Sequence, residues 1–236
     1  MRESNEAHAS RNMSDARSTP QVPPAGSVDS DRVVSKRKRP KPGERRVQIL
    51  QALATMLEQP GAERITTAAL AARLEVSEAA LYRHFASKAQ MFEGLIEFIE
   101  QTVFSLINQI VEHERGADAA LPGDGTLPAG KIVTMVMQFA EKNPGMTRVM
   151  VGDALVFENV RLQQRMNQFF DKIEATLRQS LRGAAELSGS ATPSADAQVR
   201  SSVLTAFVVG RLQRFARSNF KRLPSDHLEA SLALIL

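Results

Sequence analysis

The chain of 236 residues carries 30 Lys and Arg against 26 Asp and Glu, a formal charge of +4, and 43% of it is hydrophobic but only 5% aromatic. That length allows one or two small domains with a real core, and a chain with no Trp and one Tyr suits an Ala/Leu-rich helical protein better than a β-sandwich. The absence of Cys excludes a disulfide framework, thiol catalysis and cysteine-ligated zinc, and is compatible with a reducing cytosol.

Residues 1–43 are rich in Ser, Pro, Ala and charge and show no apolar period, so they read as a disordered basic tail. Arg32, Lys36, Arg37, Lys38, Arg39, Lys41, Arg45 and Arg46 crowd its end, accompanied only by the acids Asp31 and Glu44. Such a run is either a DNA-tracking arm that adds salt-sensitive affinity through phosphate neutralisation or a solvated charge block. Its place directly before the first helix favours the arm. The tail lacks the apolar segment of a secretory signal, and no later stretch is long and uncharged enough to span a bilayer. A soluble, intracellular protein is expected.

A first helix is predicted over residues 44–59, with Val47, Leu50, Ala54 and Leu57 on one stripe and Ile49, Leu53 and Met56 widening it. Pro60 and Gly61 end it. The next stretch, RITTAALAARLEVSEAALYRHFASK over residues 64–88, reads as a helix-turn-helix, its motif at about 66–85. Thr66 or Thr67 can cap the first motif helix, in which Leu70 and Leu74 stand one turn apart. Val76 and Ser77 form the turn, and Ser77 can accept backbone N–H groups of a second helix whose first residue, Glu78, suits the positive end of the dipole. Leu81 and Phe85 then face inward, leaving Glu78, Ala79, Tyr82, Arg83 and His84 outward as small or polar groups that fit a major groove and reach phosphates. The expected core of this three-helix domain, residues 44–87, is Leu50, Leu53, Leu57, Leu70, Leu74, Leu81 and Phe85.

The remainder, residues 88–236, reads as a helical bundle. A long helix is predicted from 88 to about 113 on Phe92, Leu95, Ile96, Ile99, Val103, Leu106, Ile107 and Ile110. Gly and Pro signals make 115–130 a loop. Helices follow at 131–143, 145–157 and 158–187, the last with Leu162, Met166, Phe169, Ile173, Leu177 and Leu181 at spacings of three and four. That seam scores as coiled coil, although a helix buried in a bundle gives the same pattern. A further helix over 198–220 offers Val203, Phe207, Gly210 and Phe215 for packing.

Enzyme chemistry has little to stand on. The four histidines, His8, His84, His113 and His227, are scattered. Glu112, His113 and Glu114 are adjacent on a helix and point in different directions, so no metal site is expected. Walker, GxGxxG and nucleophile-elbow motifs are absent, and Asp153 and Glu158 read as surface charge. No catalytic residue and no cofactor is assigned.

The string SEAALYRHFASK resembles the recognition helix and following lysine of TetR-type regulators, in which the tyrosine, histidine and lysine meet the DNA backbone. Further segments, MFEGLIEFIE, EKNPGMTRVM, ALVFE, RLQQRMNQFF and SNFKRLP, resemble the nucleoid occlusion factors of that superfamily, from about Arg45 to about Pro224. The resemblance implies an all-α, TetR-like fold: an N-terminal helix-turn-helix domain and a C-terminal bundle that dimerises through 158–187 and 198–220. Two recognition helices about 34 Å apart can then read a palindrome in double-stranded DNA. It also implies a cytoplasmic, nucleoid-associated division inhibitor that binds chromosomal DNA and FtsZ together and disrupts FtsZ polymers, with DNA as the activator. The alternative is a repressor whose bundle holds a small ligand. On this basis Thr66 and Thr67 are assigned to phosphates, Ser77, Glu78, Ala79 and Ala80 to the base-facing helix start, and Tyr82, Arg83, His84 and Lys88 to backbone or base edges. The FtsZ surface is assigned to Met135, Gln138, Lys142 and Asn143, with Lys142 complementing acidic groups. Some members of this group carry an arginine where Leu106 stands, a departure that shifts the expected footprint.

Overall fold

The computed structural model describes residues 43–59, 65–117 and 127–236; the tail expectations for residues 1–42 lie outside them. Among the described residues all regular structure is helical: α1 Glu44–Leu57, α2 Thr67–Arg73, α3 Glu78–Tyr82, α4 Lys88–Ala117, α5 Leu127–Lys142, α6 Pro144–Met150, α7 Val160–Leu187, α8 Pro193–Arg217 and α9 Leu228–Ile235. A single 3-10 turn, Asp153–Leu155, stands between α6 and α7.

The buried stripe of α1 is rotated from the predicted one. Ile49, Leu53, Ala54 and Leu57 are buried, Leu50 is only partly so, and Val47 is 54% exposed. Both stripes satisfy helical spacing, and what selects between them is the position of α4 and α6 against α1, which periodicity does not contain. Leu70, Leu81 and Phe85 are buried as expected, while Leu74 packs at the margin of the core.

Two helix starts fall earlier than the sequence predicts, because proline there opens a helix instead of marking a loop. The segment expected as a loop over 115–130 is helical to Ala117 and again from Leu127, its middle lying outside the described residues. Pro193 stands at the start of α8, five residues before the expected one. Proline lacks only an N–H that a first helical turn cannot use, so it opens helices as readily as it ends them. The helix expected over 145–157 stops at Met150 instead, because Gly152 turns the backbone to φ +84°.

The bundle is organised by the antiparallel pair α7 and α8, joined through residues 188–192. Leu162, Met166, Phe169, Ile173, Leu177, Leu181 and Ala184 form the buried seam of α7 against Ala197, Ser201, Leu204, Val208, Leu212 and Phe215 of α8, so the heptad-like pattern is a helix seam within a bundle. α4 is fastened to α7 by Arg165, whose Nε and Nη2 reach both carboxylate oxygens of Glu100 at 3.3 and 2.6 Å, and by edge-on packing of Phe104 on Phe169 at 5.6 Å. α9 lies back on the bundle, held by Arg200 to the Leu236 carbonyl at 3.0 Å and by Arg211 to the Asp226 carbonyl at 2.6 Å.

Candidate nucleic-acid interface

Two capped helices build the site. Thr66 is the N-cap of α2, its hydroxyl accepting from the Ala69 N–H at 3.1 Å, which leaves Thr67 as the first helical residue. Ser77 caps α3 in the same way, accepting from the Ala80 N–H at 3.3 Å. Each such cap contributes about 1 kcal/mol to a short helix that could not stand alone. Between them the chain reverses at Glu75, whose φ of +53° is left-handed. That turn is closed by the Val76 N–H donating to the Ala71 carbonyl at 3.0 Å.

The reversal brings the starts of α2 and α3 together. Thr67 Oγ1 donates to Glu78 Oε2 at 2.6 Å and stands 3.5 Å from the Tyr82 hydroxyl, which donates to it. Glu78, Ala79, Tyr82, Arg83 and His84 are all exposed, with Tyr82 46% so. Ser77 and Thr66 are exposed as well, whereas Thr67 and Ala80 are half-buried. The exposed set lies around a helix of only five residues.

Two cations make intrachain contacts that the sequence does not announce. Arg46, counted with the basic run, braces the end of the motif: its Nη1 donates to the His84 carbonyl at 2.8 Å, and its guanidinium lies 4.1 Å from the Phe85 ring centre. Lys88, assigned to phosphate, is half-buried and its ammonium is 2.5 Å from a carboxylate oxygen of Glu158. Glu158, read from sequence as surface charge, is thus an ion-pair partner whose side chain is 10% exposed. Nothing local marks either pair, because their members lie 38 and 70 residues apart.

The second assigned group lies on and after α5. Met135, Gln138 and Lys142 recur at three and four and share a helix face; Gln138 and Lys142 are exposed, while Met135 packs partly against the core. Asn143 has left that face: it precedes α6, and its amide donates to the Phe139 carbonyl at 2.7 Å. An aromatic that sequence reading placed in no role, Phe98 of α4, is 47% exposed. It sits among buried neighbours of the apolar stripe, and only the packing shows that it was left out of it. Among the described residues no group of three metal-ligating side chains assembles, and no helix is long and apolar enough to cross a membrane.

Comparison with known proteins matches the same two parts. Residues 49–95 fit the family model described as bacterial regulatory proteins, tetR family, and residues 126–236 fit an SlmA-like model described as a tetracyclin repressor-like C-terminal domain. A nucleoid occlusion factor SlmA of Idiomarina loihiensis is 48% identical over 186 residues, covering 79% of this chain and 90% of its own. The SlmA of Vibrio vulnificus is 49% identical over 197 residues, covering 83% and 95%. Among solved structures, the regulator FadR of Bacillus subtilis in complex with stearoyl-CoA superposes with a TM-score of 0.61 at 14% identity, over 80% of this chain and 96% of its own. FadR of Bacillus halodurans follows at 0.60 and 15%, over 82% and 95%. At that identity the structures testify to the fold.

Proposed function

Because this chain belongs to the SlmA family of nucleoid occlusion factors, TetR-type DNA-binding proteins rather than enzymes, we propose that it is a DNA-activated inhibitor of cell division. In this reading it sits on dispersed palindromic sites of the chromosome, in the cytoplasm, and binds FtsZ at the same time. FtsZ polymers are broken where DNA is still unsegregated. The observation that carries the reading is the near-half identity to proteins named nucleoid occlusion factor SlmA, sustained over nine-tenths or more of their length.

The interface geometry is consistent with it. α3 would enter the major groove with Ser77, Glu78, Ala79 and Ala80 leading, and Thr66, Thr67, Tyr82, Arg83, His84 and Lys88 would meet backbone or base edges from its flanks. A homodimer through α7 and α8 would present two such helices; Val199 and Val203, 64% and 47% exposed along α8, supply apolar surface for that contact. FtsZ would meet the α5 face of Met135, Gln138 and Lys142, with Asn143 beside it and Phe98 on α4 as a further anchor.

FtsZ sedimentation with GTP tests this directly, in the presence and absence of a duplex selected from genomic fragments that the protein retains. Loss of polymer only with both protein and duplex is the expected result. Unchanged polymer together with tight, specific DNA binding would favour the second reading, a ligand-responsive repressor. That reading has one observation of its own, an open cleft of about 430 Å³ lined by residues including Met150, Gln163, Met166, Phe170 and Val209, a volume suited to a small ligand.

A further inference from the structure

Arg148, on α6, is only 7% exposed, and a guanidinium is tolerated at that depth when its donors are matched. Its Nη1 donates to the Gln59 carbonyl, beyond the end of α1, and its Nη2 to Asn219 Oδ1, beyond the end of α8, each at 3.3 Å. Its partners lie 89 and 71 residues away in sequence. The same guanidinium is 5.1 Å from the centre of the Phe220 ring.

The acceptor beyond α8 is held in an unusual backbone. Asn219 and Phe220 are both left-handed, φ +50° and +62°, a conformation that costs a bulky side chain about 1 kcal/mol or more and persists where the surroundings over-determine it. Here the Phe220 N–H donates to the Phe215 carbonyl at 2.9 Å, the two rings pack edge-on at 5.1 Å, and the Arg148 guanidinium lies 5.1 Å from the Phe220 ring centre. On the α1 side the approach is backbone to backbone. A Cβ on Gly145, one turn before Arg148, would fall 1.9 Å from the Ala54 carbonyl oxygen. α6 itself begins at Pro144, directly after Lys142 and Asn143.

We propose that Arg148 is a positioning residue that fixes the orientation of the DNA-reading helices relative to α5, and so couples DNA on α3 to a protein partner on the end of α5. The proposal rests on the functional reading above for its two ligands, but not for the joint itself. Coupling between sites requires an element whose placement both of them bias. α6 meets that requirement, being continuous with the partner face and keyed into α1. Arginine suits the role because its planar fork can satisfy two acceptors on different elements at once, whereas a lysine ammonium is a single point charge.

The full chain has no cysteine, so A72C and Q179C, at exposed positions on α2 and α7, give one unique label pair. The distance distribution between two spin labels is measured in protein diluted with unlabelled chain, with arginine, R148K or R148Q at position 148. A narrow distribution for arginine and one at least about twice as wide for both variants is the expected result, with a roughly tenfold loss of duplex affinity at unchanged salt slope, since Arg148 is buried with its donors directed to Gln59 and Asn219. Circular dichroism and a melting curve fix a temperature at which the variants stay folded; a merely structural residue would lower the melting point and leave width and affinity unchanged there. R148K keeps the test open should R148Q not fold. Wild-type width and affinity in a folded variant overturn the proposal. If the arginine chain itself bound no DNA, the functional reading would fail, and the distribution widths would still decide the joint.

Discussion

The ammonium of Lys88 and a carboxylate oxygen of Glu158 lie 2.5 Å apart, tying the first residue of α4 to the turn that leads into α7. In the proposed complex a DNA phosphate would compete with Glu158 for this cation.

Glu158→Gln removes the competing charge without changing shape. Duplex affinity at low salt is expected to rise roughly two- to fivefold, for all sequences alike, because the freed ammonium and the lost negative charge both favour phosphate. Lys88→Ala should lower affinity for all sequences and reduce the salt slope by about one. In the Lys88→Ala background the Glu158 effect should shrink markedly. Fluorescence anisotropy titrations at three salt concentrations check all three; an equal gain in both backgrounds would show that Glu158 acts elsewhere.

Glu78 poses a related question, since a carboxylate at the front of α3 repels phosphate but can accept from a cytosine amino group. Its bond from Thr67 holds it in place. Glu78→Gln is expected to raise affinity for random duplex and relax discrimination at one position of the selected site, costing about 1–3 kcal/mol of specificity there. Competition binding against single-base variants of the duplex measures it, and uniform change across the site would assign Glu78 to the backbone instead.

On the partner face, Lys142→Glu reverses an exposed charge at the last residue of α5. The amount of protein required for FtsZ polymer loss is expected to rise at least about tenfold, with duplex affinity held within about twofold. A sedimentation series run beside anisotropy separates the two; retention of full inhibition would move the footprint off α5.

Asp196 stands in the first turn of α8, where hydroxyls of Ser190 and Thr192 donate to its carboxylate and hold its pKa below the usual carboxylate range. A depressed folded value means that the contribution is present above the unfolded carboxylate pKa and is lost as pH falls through the lower, folded one. Asp196→Asn should therefore lower the melting temperature at neutral pH, with the difference from wild type closing in acid. Thermal melts from pH 7 to pH 2 check the sign.

What the sequence revealed was whatever rests on neighbours. Ser77 and Thr66 were readable as caps because the acceptor and the N–H it serves lie three residues apart, and the α7 seam was readable because its period is its cause. The stripe of α1 was displaced because Ile49 and Val47 are equally apolar in the chain and differ only in what the fold sets against them. Pro128 and Pro193 were read as loop residues because the sequence alone does not say whether a proline opens or closes a helix. Arg46, Glu158 and Arg148 were out of reach for one reason: each finds its partner across 38 or more residues. A basic run, a lone acid and an arginine in a short helix carry no mark of that.

The contact between Gly94 and Phe85 bears on how small a DNA-binding piece of this protein can be. A Cβ at Gly94 would already stand 3.2 Å from the Phe85 ring and 3.4 Å from Leu50, and Met91, Phe92 and Leu95 are buried beside them. The opening turns of α4 are thus the fourth wall of the helix-turn-helix core. Cutting the chain at residue 87 would strip that wall and leave Phe85 facing water, so an excised fragment of α1 to α3 is expected to be molten, and one carried past Leu95 to fold. On the proposed reading, the smallest autonomous reader of DNA would include part of the helix that elsewhere builds the bundle.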